Sequence, residues 1–542
     1  MHWLDRIWAV ARRHPLPVLL AILAVQTLPT LWARDLWPLD ELRHAGVFFE
    51  MREHGHWLAL HLNGVPYPDK PPLYFWLLGA VATLAGSDGA WIFFLTTALS
   101  GALFLWATTV LARRVAGGDG GLAALSGLVL LTTVFFIGRV HFPRMDLLFC
   151  ALMALAVAAL YTAQARERAT GWMLAGFGAT AAAVLTKGPF GAVIPLVTLV
   201  LVVTLQGRPG RLFAADVAAG LGLLAGVIGA YLGGLWWVAG PDYLRAVAGF
   251  LERNSTDAGN LAGTLVFYLR TYWDEMLPWL LLVPVLPWLV LRRDAPAQAE
   301  APLSPPGLAA LAIAAAVALL GFAAVGYPHR HVLLTFMAPL SVLVAVALLR
   351  LPAAALQVIV GGLAAILLVG GLALPILHLA GRSEDLAAYP AIIAPITLAG
   401  GWLLWRVRGR GPGPALLVLA ATLTLAQLPH YLVGIPRLNA ERSGRLPAEA
   451  TMALVAQGYP PLILARDEIG RDYGNVMQYY AGRRFATFSD RGSFAAAMAG
   501  AERAVLVVHR HDWARLDTDD PAATVVASNA GYLGSRIIRL DR

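Results

Sequence analysis

VLLTFMAPLSVLVAVALL, residues 332–349, runs 18 residues without a charged side chain, between His331 and Arg350. As an α-helix it would rise about 27 Å, close to the hydrocarbon thickness of a bilayer. Its apolar residues are continuous rather than alternating, which fits a spanning helix and not a strand of a membrane barrel. Similar runs recur from Val18 to Val433. Composition agrees: 58% of the residues are hydrophobic and 14% charged, with a mean hydropathy of +0.65. An ordinary soluble domain carries about 25% charged residues. The chain therefore reads as an all-α polytopic membrane protein. Its net charge of +8 does not indicate nucleic acid, because the arginines sit in short loops between apolar runs and no basic patch is interleaved with aromatics. Such arginines record membrane orientation. Cys150 is the single cysteine, so an internal disulfide is excluded. The run from Pro15 to Trp32 follows Arg6, Arg12 and Arg13. It is long and has no small-x-small cleavage site, and is expected to be a retained first span.

About fourteen apolar runs start near residues 15, 71, 90, 121, 145, 171, 189, 212, 276, 306, 332, 353, 387 and 414. Arginines cluster at 113–114, 166–168, 208–211, 292–293, 350 and 406–410. These clusters alternate with the remaining loops if one run between Arg34 and Arg113 does not cross. Pro71 to Ala85 is the weakest, opening on Pro71-Pro72 and closing on Gly86-Ser87-Asp88-Gly89, and is expected to lie at the interface. About thirteen spans remain. The N-terminus is then cytoplasmic, and segments 34–89, 139–145, 237–275, 326–331, 379–386 and everything after about Ile435 lie on the opposite side. Residues 1–434 form the membrane domain. Residues 435–542 form a small α/β domain, with buried strands expected at 461–465 and 504–508 and helical pieces at 476–481 and 494–499. The 295–306 segment reads as a linker.

Ionisable residues gather in the outer loops. Asp40, Glu41, Arg43 and His44 follow the first span. Asp40 there is either a helix N-cap or a catalytic carboxylate, and residues 45–53 read as an amphipathic surface helix. In Asn63-Gly-Val-Pro66-Tyr67-Pro68-Asp69-Lys70-Pro71-Pro72, the prolines fix the backbone around Asp69 and Lys70. Arg139, His141, Arg144 and Asp146 stand at the head of a span, where an ionisable residue is costly and is read as functional by default. Thr186-Lys187-Gly188-Pro189 lacks the upstream glycines of a nucleotide loop. Lys187 there caps a helix or touches a phosphate. Tyr327, His329, Arg330 and His331 form a basic turn suited to an anion, and Arg270 lies in the long segment before it. Carboxylates and cations at one membrane face suit a lipid-carried sugar phosphate: the cations hold the leaving phosphate and a carboxylate steers or activates the acceptor.

The residues Asp40-Glu41-Leu-Arg43 and the 63–74 segment closely resemble the bacterial aminoarabinose transferases of the ArnT type, within the protein-O-mannosyltransferase-like group with the GT-C fold. The Arg144-x-Asp146 and 186–189 segments, the span count and the C-terminal α/β domain fit as well, so the resemblance runs through essentially the whole chain. It implies an inner-membrane glycosyltransferase with its active site and C-terminal domain in the periplasm. The donor would be a polyprenyl-phosphate-linked sugar, most simply aminoarabinose on undecaprenyl phosphate, and the acceptor lipid A or another envelope molecule. Asp40, with Glu41 beside it, would be the principal catalytic carboxylate and Asp146 the second. Arg43, Lys70, Arg144, Arg270, Tyr327, His329 and Arg330 would approach the donor phosphate or the acceptor. A divalent metal near Asp69 is the one cofactor implied, although Glu252-Arg253-Asn254 lacks the histidine expected as its partner. The His-Arg-His turn also departs from the lysine or simpler basic residue of many relatives. A single displacement would invert the anomeric carbon, by analogy with glycosidases. A lipid-linked sugar transporter is the alternative of another class, but its inverted repeats are absent. A scaffold whose outer carboxylates are replaceable is a third.

Overall fold

A computed structural model describes residues 2–38, 40–164, 169–255, 260–291, 303–379, 390–464, 473–516, 521–528 and 535–542. The chain is mostly helical. Among the described residues eight helices are long and apolar enough to cross a membrane: Pro15–Ala33, Trp91–Arg114, Asp146–Gln164, Ala215–Glu252, Pro305–Ala324, Arg330–Arg350, Ala353–Leu377 and Pro412–Arg442. Four shorter apolar helices accompany them: Leu73–Ala85, Gly120–Leu131, Phe190–Leu205 and Ala391–Val407. The protein is thus a multi-pass membrane protein.

Against the expected count of about thirteen spans, these eight are the candidates that length and composition single out among the described residues. The run after Met276 forms no continuous helix of spanning length among the described residues, because Pro278, Pro284 and Pro287 interrupt it. It folds as turns, a 3-10 stretch Val283–Val285 and the short helix Leu286–Leu291, since proline lacks the amide proton a helix interior uses. The expected 237–275 loop is largely helical instead. Helix Ala215–Ser255 continues through it with a break at Gly240, whose φ is +73°, and Leu261–Glu275 follows. Gly240 takes a backbone region closed to most residues, and Pro241 prevents the ladder from re-forming across the break. The segments 292–302 and 380–389, with their expected linker and loop, lie outside the described residues.

Chain contacts divide the molecule into two compact units: Met1–Pro29 with Phe94–His430, and Thr30–Phe93 with Tyr431–Arg542. The segment from Tyr431 onward is one part of the second unit. The first loop belongs with this C-terminal segment.

In the larger unit Arg330–Arg350 is central, with the whole of its apolar window buried. Only 17% of the Ala215–Glu252 window is buried, and Trp236 and Trp237 on it are exposed. That helix carries an exposed apolar surface, as a span facing lipid does. Two side-chain contacts cross the bundle interior: Gln26 Nε2 donates to Thr424 Oγ1 at 3.0 Å, and His141 Nε2 meets Gln427 Oε1 at 3.3 Å.

The smaller unit is built around helix Asp40–His54, which buries Glu41, Leu42, His44, Ala45, Gly46, Val47, Phe48, Glu50 and Met51. The expected amphipathic surface helix is therefore a core helix. Phe48, Tyr74, Phe75 and Phe93 are fully buried in this unit, each worth about 1.5–3 kcal/mol on burial. Its C-terminal part carries a five-stranded mixed sheet. Strand Pro461–Leu464 pairs in parallel with Thr487–Phe488 and with Arg503–His509. Arg503–His509 pairs antiparallel with Ser535–Asp541, which pairs antiparallel with Ala523–Ser528. The two expected strands and both helical pieces are present, as helices Tyr473–Ala481 and Arg491–Ala499.

Candidate functional site

Asp146 opens helix Asp146–Gln164 and is buried. A carboxylate out of water needs a charged or hydrogen-bonding partner, and it has two. Lys187 Nζ lies 2.5 Å from Oδ1, and Arg144 Nε lies 3.0 Å from Oδ2. Lys187 is the last residue of helix Thr170–Lys187. Gly188, with φ of +85°, turns the chain away, and Pro189 precedes the next helix, Phe190–Leu205. The Lys-Gly-Pro break thus leaves the lysine at a helix end, its ammonium also 5.5 Å from the Phe149 ring centre.

The 327–331 turn belongs to the same unit. Tyr327 is held by Tyr268, whose hydroxyl donates to its carbonyl at 2.5 Å. The Tyr327 ring packs 4.2 Å from His329 and 5.8 Å from His331, centre to centre. His331 is buried, and its Nε2 has no hydrogen-bond partner among the described residues. Arg330 is tied to Asp274 at 3.2 Å and Glu275 at 3.6 Å. Burial raises the pKa of Glu275, with Arg139 opposing. Arg139 itself lies over the Phe135 ring at 4.7 Å. Arg270 is on the exposed side of helix Leu261–Glu275, without an ion pair among the described residues.

The smaller unit holds the other set. Asp40, at the start of helix Asp40–His54, is ion-paired with Arg43 one turn on. Glu41 is fully buried, where a solvated helix start would expose it. It takes 2.6 Å from Arg34, and its other oxygen accepts from the Trp37 amide at 2.8 Å. Burial raises its pKa, and Arg34 pulls the other way. The Arg34–Glu41 pair thus ties the end of the first span to the Pro38 turn in front of Asp40. Lys70 lies beside Asp69, donating to its carbonyl at 3.2 Å. Asn63 and Gly64, with φ of +51° and +80°, close a hairpin between His61–Leu62 and Val65–Pro66. Asn-Gly is the residue pair such a turn favours.

The C-terminal segment grips this hairpin. Asn63 and Phe485 exchange two hydrogen bonds, at 2.9 and 2.8 Å. Buried Glu50 accepts from the Gly64 amide at 2.8 Å, from Gln478 at 2.6 Å and from Arg484 at 2.5 Å. Those bonds overcome the penalty of burial and bring its pKa down to about 2.

Sequence reading placed Asp40, Arg43, Lys70, Arg144 and Asp146 in charged clusters, and the structure places each beside ionisable or polar neighbours. It weighed Lys187 as a helix cap or a phosphate contact without pairing it to Asp146, passed over Arg34, which holds Glu41, and gave His331 no separate role. The local signal for Lys187 was a lysine closing an apolar helix before Gly-Pro, a pattern equally consistent with a cap. Among the described residues no three histidine, cysteine or acidic side chains gather as a metal needs. Asp69 is thus not part of such a set, and no step below passes through a metal.

The fold and the charged helix ends define a class: multi-pass membrane proteins with the ArnT architecture. The chain superposes on the crystal structure of ArnT from Cupriavidus metallidurans in the apo state with a TM-score of 0.77 over 98% of each chain, at 21% identity. On the same protein bound to undecaprenyl phosphate the TM-score is 0.74 over 96% of each. Residues 69–232 match the family described as dolichyl-phosphate-mannose-protein mannosyltransferase. The chain is similar to undecaprenyl phosphate-alpha-4-amino-4-deoxy-L-arabinose arabinosyl transferases. It is 30% identical to the one from Edwardsiella ictaluri over 50% of this chain and 48% of that one. It is 27% identical to the one from Serratia proteamaculans over 72% and 71%. The chain spans about half the length of most of the curated relatives it matches. The resemblance read from the first-loop motif is borne out at the level of fold.

Proposed function

We propose that the chain is a membrane glycosyltransferase that moves a sugar from a polyprenyl phosphate to an envelope acceptor. One observation carries the reading: the Asp40-Glu41-Leu-Arg43 and 63–74 motifs stand in a chain whose fold matches ArnT along nearly its whole length. The similar arabinosyl transferases make undecaprenyl phosphate the carrier and 4-amino-4-deoxy-L-arabinose the first sugar to try, with lipid A as acceptor. Another glycan or a protein hydroxyl is the second reading, supported by the match over residues 69–232 to a protein mannosyltransferase family.

In such a transfer the bond from the anomeric carbon to the phosphate oxygen breaks while the acceptor oxygen attacks from the opposite face, so the anomeric configuration inverts. The leaving phosphate gains charge, and cations held in a dry site stabilise it most. Arg43, Lys70, Arg144, Lys187, Arg270, Tyr327, His329 and Arg330 are the groups we assign to the donor phosphate or the acceptor. Asp40 is assigned to the acceptor. It abstracts a proton if the acceptor is a hydroxyl, and orients or balances charge if the acceptor is already an anionic phosphate. Asp146 is the second carboxylate, and Glu41 positions the turn that carries Asp40. These groups and the C-terminal sheet are assigned to the periplasmic side of a bacterial inner membrane, with the N-terminus cytoplasmic.

Asp40→Asn is expected to abolish product formation by the detergent-purified protein, followed by mass spectrometry with undecaprenyl-phosphate aminoarabinose and lipid A, while expression stays normal. Near-normal turnover of that variant would remove the mechanism. Product formation in detergent also separates a transferase from a transporter, which makes none.

A further inference from the structure

The basic residues read from the sequence as markers of orientation assemble into a site. In the larger unit Arg13, His14, Arg113 and Arg114 converge on one cleft of about 650 Å³, the size of a ligand site rather than of a packing gap. Its remaining wall is almost wholly apolar, from Trp106, Val110 and Leu155 to the small residues Ala175 and Ala179. None of the residues lining it is acidic. Among the described residues Arg13, Arg113 and Arg114 have no carboxylate partner; Arg114 instead lies 5.2 Å from the Trp172 ring centre. Three arginines lining one cleft without counter-charge favour an anion placed among them.

The cleft is also remote from the candidate catalytic residues of its own unit. It touches helix Asp146–Gln164 at Leu155, Ala158 and Ala159, whereas Asp146 is that helix's first residue. Twelve residues of α-helix separate Asp146 from Ala158 by about 18 Å. The cations therefore lie well away from Asp146, with an apolar wall beside them that includes Trp106 and Trp172.

We propose that this cleft binds one anionic glycerophospholipid of the surrounding leaflet. The phosphate of its headgroup sits among Arg13, Arg113 and Arg114, and an acyl chain runs along the apolar wall past Leu155 and Ala175. Charge complementarity selects this occupant. A zwitterionic lipid brings a cation of its own to the arginines, and a free phosphate leaves the apolar channel unfilled. Basic pockets between spanning helices take acidic headgroups for the same reason.

The test is native mass spectrometry of the full detergent-purified chain with equimolar phosphatidylglycerol and phosphatidylcholine of matched acyl chains. Wild type should retain phosphatidylglycerol at least about tenfold better. R13Q/R113Q/R114Q should bring the two lipids near parity, whereas R406Q/R408Q/R410Q, the same charge loss on other loops, should leave the preference intact. Ala175→Trp, which fills the cleft at an exposed small residue and removes no charge, should abolish the retained adduct and serves if the triple variant does not fold. Equal retention of both lipids by wild type overturns the proposal. So does equal loss in both triple variants, or full retention in Ala175→Trp.

Discussion

Lys187 shows what a single buried charge does. Its ammonium and the Arg144 guanidinium flank Asp146, and losing either leaves a carboxylate short of a partner in a region where water does not replace it. If these cations stabilise a departing phosphate, Lys187→Met should lower transfer by about 10²–10³-fold. The variant should still elute as a monodisperse species on gel filtration. Transfer within threefold of wild type would assign Lys187 to structure alone. The arginine of the turn, Arg330, is already held by Asp274 and Glu275. Arg330→Gln should therefore have a smaller effect than Lys187→Met in the same assay. His331 was legible only as part of a basic turn. Its burial beside Tyr327, and the unpartnered Nε2, come from helices distant in sequence, and no spacing rule predicts them.

At the scale of elements, the Asn63-Gly64 hairpin and Arg484 are bound through Glu50. Arg484→Ala strips a buried carboxylate of its charged partner and should destabilise the smaller unit by about 3 kcal/mol, read as a lower thermal midpoint. The pH dependence has a definite sign. Glu50 falls from 4.5 to about 2 on folding, so its contribution is complete above about pH 4.5 and is lost as pH falls toward 2. A Glu50→Gln variant should show a flatter decline in midpoint between pH 5 and 3 than wild type, and equal slopes would contradict the pairing. Gly46 is a further element-scale requirement, since a Cβ there would lie 2.5 Å from Leu62 Cδ1. The helix at 40–54 was visible in the sequence, but its buried faces were not. Charged residues such as Glu41 and Glu50 read as solvent-facing until the arginines that cover them, one of them more than four hundred residues away, are brought in.

For the molecule as a whole, orientation is the open variable, and the single cysteine makes it measurable. Cys150 is buried, so in a Cys150→Ala background a new thiol reports its own position. Gln457→Cys, exposed in the C-terminal segment, should react with a membrane-impermeant maleimide in intact spheroplasts. Gly409→Cys, in the loop after the Pro390–Val407 helix, should react only after permeabilisation. The reverse pattern would invert the topology and place Asp40 on the cytoplasmic side.

The amino-acid order determined that the chain lies in a membrane, where its principal apolar helices run, which loops carry charge, and that a strand-containing segment closes it. Those properties are local: hydropathy, proline and glycine placement, and charge act over one element at a time. Hydropathy alone reads the run after Met276 as a span; Pro278, Pro284 and Pro287 withhold three amide donors within it, and among the described residues it folds as turns and short helices. Tertiary structure alone decided that Glu41 is a buried strut, that Lys187 joins the nearby Arg144 in holding Asp146, and that the first loop folds with the last hundred residues. The Lys187–Asp146 and Arg484–Glu50 pairs join side chains 41 and 434 positions apart, and the cost of leaving either charge unpaired in a dry interior fixes which partners must come together.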